Sequence, residues 1–192
     1  MNKVMTMIAA MLVFAGCKSN AKQNVAPAAD NKAHKVLVAY FSYSGTTKRY
    51  AEKIAAAANA DLFEIRAAQP YTDADVDWRN DNSRVNREMK TNPDSRPAIA
   101  EGVKGLQQYD VVFVGFPIWW YIAPNIINTF LETQDFKGKT IIPFFTSASS
   151  GPGETDKHLH KSIGYEVTWK PATRVNRMND KELGEWVQQV LK

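Results

Sequence analysis

Three short runs constrain the fold of this chain more than anything else: KVLVAYF (residues 35–41), DVVFVGF (110–116) and TIIPFFT (140–146). None alternates apolar with polar. A strand with one wet face alternates, whereas an unbroken apolar run suits a strand covered on both faces, as in the middle of a parallel sheet. Helical spacing follows each run. Residues 48–59 place Tyr50, Ile54 and Ala58 on one face beside Ala51 and Ala55. After Pro124 the stripe is Ile126, Ile127, Phe130 and Leu131, and Leu183, Trp186, Val187, Val190 and Leu191 form a closing helix. Residues 61–67 alternate and read as a second strand, and 165–169 as a last one. Weaker helices are expected over 97–106, opened by Pro97, and over 154–163. Strands alternating with helices predict an α/β fold: an open parallel five-stranded sheet, order 2-1-3-4-5, with helices on both faces. Pro143 has no N–H to give a ladder, so it should sit at an edge or beside a bulge. Residues 68–96 are polar and without period, and predict no element.

The first residues read differently. Lys3, an apolar stretch over 4–14 and the small residues before Cys17 have the composition of a secretory signal, and the stretch is short for a membrane span. Cys17 is the only cysteine, so no intrachain disulfide can form. The motif FAGC resembles a bacterial lipoprotein box, with Phe14 where leucine is usual. That resemblance implies lipidation of Cys17, and with it export and anchoring to a bacterial membrane, facing the periplasm. The expected division is a signal peptide over 1–16, a flexible tether of Ala, Asn, Lys, Gln, Pro and Asp over 17–33, and one domain over 34–192. The formal net charge is +4, with the cations scattered. A nucleic-acid binder would mass them with interleaved aromatics, which argues against that partner class.

Chemistry concentrates in the loops after strands 1, 3 and 4. The first holds Ser42, Ser44, Gly45, Thr46 and Thr47 at a strand–helix junction. Unpaired helix-start amides, hydroxyls and a close-wrapping glycine suit a phosphate dianion, although the same cluster could simply cap the helix. The second contains Pro117, Ile118, Trp119, Trp120 and Tyr121. Adjacent aromatics on a connection provide a surface on which something flat can stack, with one tryptophan expected to pack into the core. The third contains Thr146, Ser147, Ser149 and Gly151 and can offer backbone groups to a ring edge. In a 2-1-3-4-5 sheet a ligand sits at the carboxyl ends of strands 1 and 3. Phosphate grip, ring stack and edge contact together describe flavin mononucleotide, FMN.

FSYSGTTKRYAEKIA, over 41–55, resembles the flavodoxin phosphate loop, and GFPIWWYIAPNIINTFLE with GKTIIPFFTSASSG resembles flavodoxin-like flavoproteins of bacteria. The second loop is also similar to the flavin loop of NAD(P)H:quinone reductases. The resemblance implies that Ser42, Ser44, Gly45, Thr46 and Thr47 bind the FMN phosphate. It implies that Pro117, Ile118, Trp119 and Trp120 line the ring, and that Thr146, Ser147, Ser149 and Gly151 meet its pyrimidine side. Ala148 stands where the family often has glycine, at a cost of about 1 kcal/mol if that position needs positive φ. Three functions fit: an electron carrier, an FMN-dependent NAD(P)H:quinone-type reductase, or a binding module without flavin. The electron donor and acceptor, protein or small molecule, leave no trace in the sequence. The pair His158 and His160 reads as a solvated helix face rather than a metal site, with no other His or Cys placed to support one.

Overall fold

The computed structural model describes residues 34–192; the expected signal peptide, the tether and Cys17 lie outside the described residues. The sheet is parallel and runs β2-β1-β3-β4 from β2 (Asp61–Glu64) through β1 (Val36–Tyr40) and β3 (Val111–Pro117) to β4 (Thr140–Thr146). Two short pieces, β5 (Thr168–Trp169) and β6 (Thr173–Arg174), share the outer edge of β4 and together fill the fifth position. The observed order is the expected one.

The unbroken apolar runs sort by parity onto the two faces. Leu37, Ala39, Val112, Val114, Phe116, Ile141 and Phe145 face α3 (Asn125–Thr133) and α4 (Thr155–His160), where Ile126, Ile127, Phe130, Leu131 and Leu159 cover them. Val36, Val38, Tyr40, Val111, Phe113, Ile142 and Phe144 face α1 (Thr46–Ala58) and α5 (Asp180–Val190), through Ala51, Ile54, Ala55, Leu183 and Val187. Both faces of the central strands are therefore dry, which is the condition their sequences encode. The start of α5 is fixed by a capping box between Asn179 and Glu182.

Pro143 lies inside β4, paired in register with Val114. The odd residues of β4 turn their polar groups outward, since Lys139 and Ile141 accept from Thr168 and Lys170, and Phe145 from Val175. Opposite Pro143 the edge slips by one residue, from Ile141↔Trp169 to Phe144↔Thr173. The missing N–H thus faces a bulge, and Ala172, in the bulge, gives its own N–H to Asp156 at 3.0 Å. This break also corrects the last strand, which is two residues long where five were expected.

The helix expected over 97–106 does not form. Ala68 N–H bonds Ala98 O and Ala100 N–H bonds Arg66 O, both at 2.8 Å, so this stretch forms an isolated antiparallel bridge, Ala67 with Ile99, instead. Gly105 then adopts φ 71°, and only Leu106–Gln108 makes a 3₁₀ turn. Residues 68–96, without legible pattern, contain a short helical turn, α2 (Arg84–Asn86), continuing into a π-helical turn over Arg87–Thr91.

Candidate functional site

The three loops meet at the carboxyl edge of β1, β3 and β4. Thr47 Oγ1 and Thr146 Oγ1 lie 2.8 Å apart and tie the first loop to the third. Ile118 N–H bonds Thr146 O at 2.9 Å and ties the second to the third. Gly153, φ 52°, lets the third loop pass so close to Tyr121 that a Cβ would collide with the Tyr121 carbonyl.

The first loop opens α1 without protein capping. Gly45 is the N-cap, in the left-handed region at φ 81°; no side chain caps the helix and no acid occupies its first turn. The first helical bond runs from Arg49 N–H to Gly45 O, so the amides of Thr46, Thr47 and Lys48 have no backbone acceptor among the described residues. Ser42 Oγ is enclosed and has no partner among them either. Ser44 Oγ lies 3.2 Å from Thr46 Oγ1. Thr47 is 1% exposed, and its hydroxyl and that of Thr146 satisfy one another, leaving one proton between the two to donate elsewhere. Orphan amides, an orphan hydroxyl and a positive helix end compose an anion cradle.

The second loop is a tight turn. Trp119 N–H bonds Ile122 O at 3.0 Å, and Ile122 N–H bonds Trp119 O at 3.1 Å. Its central residues, Trp120 and Tyr121, have φ of 47° and 67°. This is type I′ geometry, normally occupied by Asn-Gly. Trp119 packs edge-on against Phe41 and Tyr71, with ring centroids 5.4 and 5.3 Å away, and joins the core as one tryptophan was expected to. Trp120 is half-buried with Lys90 Nζ 4.7 Å from its ring centre, and Tyr121 is 66% exposed. In the third loop Ala148 is not among the residues of positive φ, so the feared cost of alanine there does not arise.

The sequence profile of the flavodoxin family matches residues 35–190. The chain belongs to the flavodoxin family. No functionally curated protein matches it. Among solved structures it is similar to a candidate flavoprotein from Bacteroides eggerthii, at 46% identity over 83% of this chain and 99% of that one, with a TM-score of 0.77. A second candidate flavoprotein, from Bacteroides uniformis, is 42% identical over 81% and 98%, with a TM-score of 0.76. The flavoprotein from Lactobacillus acidophilus solved in complex with FMN shares 23% identity over 78% of this chain and 98% of that one, at a TM-score of 0.61, a likeness of fold.

In this member of the flavodoxin family, polar contacts without a sequence signature border the first two loops. Tyr43 donates its hydroxyl to Asp73, latching the first loop to residues 68–96 and holding the Tyr43 phenol above its ordinary range. Tyr71 donates to Glu88 at 2.6 Å, and burial together with that bond pushes its phenol far up. Arg84 reaches the same carboxylate at 2.6 Å and lies 3.9 Å from the Tyr71 ring centre. A cleft of about 480 Å³ opens on the β2 side of the first loop, between Phe41, Ser42, Tyr43, Arg66 and Tyr71, and not between the three loops. The orphan amides and strained aromatics lie at the three loops.

His158 departs from the expected solvated face. It is half-buried with Nε2 enclosed, and burial, aided by Arg96 and Lys161, lowers its pKa from the ordinary 6.5. His160 is exposed, tilted over Trp169 at 4.4 Å between ring centres.

Proposed function

We propose that this protein binds FMN at the three loops and works as an electron-transfer flavoprotein, exported and held to a membrane by a lipid on Cys17. The observation that carries the reading is the junction of an uncapped helix start, an aromatic turn and a small polar loop at one point of the sheet edge, through Thr47, Thr146 and Ile118.

The residues present fit the group. The amides of Thr46, Thr47 and Lys48 with the hydroxyls of Ser42, Ser44 and Thr46 would hold the phosphate, and the αL backbone of Gly45 turns the chain around it. Pro117, Ile118, Trp119 and Trp120 would line the ring, Trp119 from its anchored position against Phe41 and Tyr71. The polar edge would meet Thr146, Ser147, Ser149 and Gly151. When bound, FMN supplies one- and two-electron redox chemistry; the protein binds it, orients it and sets its electrostatic surroundings.

An absorbance scan of the purified protein, with and without added FMN, tests the reading. Flavin bands retained through gel filtration are expected. Gly45→Asp should weaken FMN binding while affecting riboflavin, which has no phosphate, less. No uptake of FMN by the wild type would overturn the proposal. For the anchor, Cys17→Ser should move the protein from the membrane to the soluble fraction; unchanged fractionation and no acyl mass would remove lipidation.

A further inference from the structure

Four consecutive carbonyls of the third loop converge on one guanidinium. Arg174, on β6, donates to Ser147 O, to Ala148 O at 3.1 Å, to Ser149 O at 3.2 Å and to Ser150 O at 3.5 Å. Its Nε donates to Asn176 Oδ1 at 3.1 Å. Asn176 in turn gives Nδ2–H to Ser147 O at 2.9 Å and accepts Ser147 N–H at 3.1 Å. A peptide unit carries its C=O and N–H on opposite sides. With the carbonyls gathered on Arg174, the amides of Ala148, Ser149, Ser150 and Gly151 point away from it, and they have no protein partner among the described residues. Neither lysine nor a neutral amide could do this. The gathering needs five donors in a rigid plane, which only arginine has.

We infer that Arg174, seated by Asn176, is the positioning residue of the third loop, and that it makes the loop a row of N–H donors aimed at the site. Such a row selects a ring edge that carries hydrogen-bond acceptors and gains negative charge. A cation behind a row of amides favours the same edge, by charge and by dipole. The inference rests on the FMN reading, which gives the edge its identity as the carbonyl-bearing side of the flavin. The bulge opposite Pro143 belongs to the same device. It shifts the edge by one residue just before Thr173 and Arg174, and so sets the register in which Arg174 pairs with Phe145 and lies beneath the loop.

The test compares wild type, Arg174→Lys and Arg174→Met as full chains. Without ligand, backbone NMR order parameters of residues 147–151 should fall in both variants while those of β3 and β4 stay. With ligand, FMN affinity should drop about tenfold or more, the scale of a charge-assisted hydrogen bond. Wild type should prefer FMN over 2-thio-FMN, whose sulfur is a poorer acceptor on that edge, and both variants should lose the preference. A merely structural arginine would lower stability without changing that ratio. If Arg174→Met does not fold, Arg174→Lys decides, because it keeps the charge and loses the fork. Lysine behaving as wild type in mobility, affinity and ratio would overturn the inference. Wild type that binds no FMN fails the function proposed above, whereas wild type that binds with both variants equal to it fails this inference alone.

Discussion

Trp120 and Tyr121 occupy the two positions of a tight turn that residues other than glycine and asparagine avoid. A left-handed residue with a Cβ costs about 1–2 kcal/mol, and both are held there by the paired bonds between Trp119 and Ile122. Strain that survives in a two-residue turn points to a use for the side chains. We therefore expect Trp120→Asn combined with Tyr121→Gly to raise unfolding stability by about 1–2 kcal/mol in urea titrations, even after loss of the Lys90 contact to Trp120. The same change should weaken FMN binding by about 1–3 kcal/mol, the scale of base–aromatic stacking. Unaltered FMN affinity would show that neither ring faces the ligand. The run of adjacent aromatics was legible in the sequence, but its turn was not. Type I′ turns are recognised by Asn and Gly, and here the tertiary contacts override that chemistry.

At the scale of elements, the central strands could be read because burial on both faces leaves one signature, an apolar run without alternation. Residues 68–96 could not, because polar contacts far apart in sequence hold them. Glu88 joins Arg84 and Tyr71, with Arg84 and Glu88 side chains only 12% and 13% exposed, and Asn125 on α3 donates to Glu88 O, Pro93 O and Ser95 Oγ. Only Arg84 and Glu88, four residues apart, have a spacing that a sequence displays; the partners of Tyr71 and Asn125 lie 17 to 37 residues away. The failed helix over 97–106 has a related cause, since apolar spacing survived there while the bonds of an antiparallel bridge to residues 66–68 claimed the backbone. The cluster around Glu88 also supports the site, for Tyr71 packs on Trp119. Glu88→Gln should cost about 1–3 kcal/mol, since it leaves Arg84 without its charged partner in a half-buried place. Hydrogen exchange should rise across residues 69–96 before it rises in the sheet, and tryptophan fluorescence should report a looser Trp119. Unchanged exchange in that segment would show that the Glu88 cluster does not hold it.

The charge of the whole molecule bears on what the proposed site would do to a flavin. The sequence is basic by +4, but four of its cations, Lys3, Lys18, Lys22 and Lys32, and one acid, Asp30, precede residue 34. Residues 34–192 therefore carry twenty cations against nineteen acids, close to neutral, and most of the basic character belongs to residues 1–33. What matters at the site is which charges stand near it. Lys48 and Arg49 lie in the first turn of α1, Lys90 over Trp120, and Arg174 behind the third loop, while Asp73 is engaged by Tyr43. Acidic flavodoxins surround the flavin with carboxylates that resist its second electron. A unit charge at ~4 Å and an effective dielectric near 20 is worth about 4 kcal/mol, and much less beyond a Debye length of about 10 Å at 0.1 M salt. With Lys48, Arg49, Lys90 and Arg174 placed at the three loops, the second-electron potential of bound FMN should be less negative than in the acidic family members. Replacing Lys48 and Arg49 by glutamate should lower it, and added salt should shrink the difference between wild type and variant. A redox titration at two ionic strengths measures both effects. A wild-type potential as low as that of the acidic carriers, or a salt-independent difference, would show that the protein sets the potential through ring contacts rather than through charge.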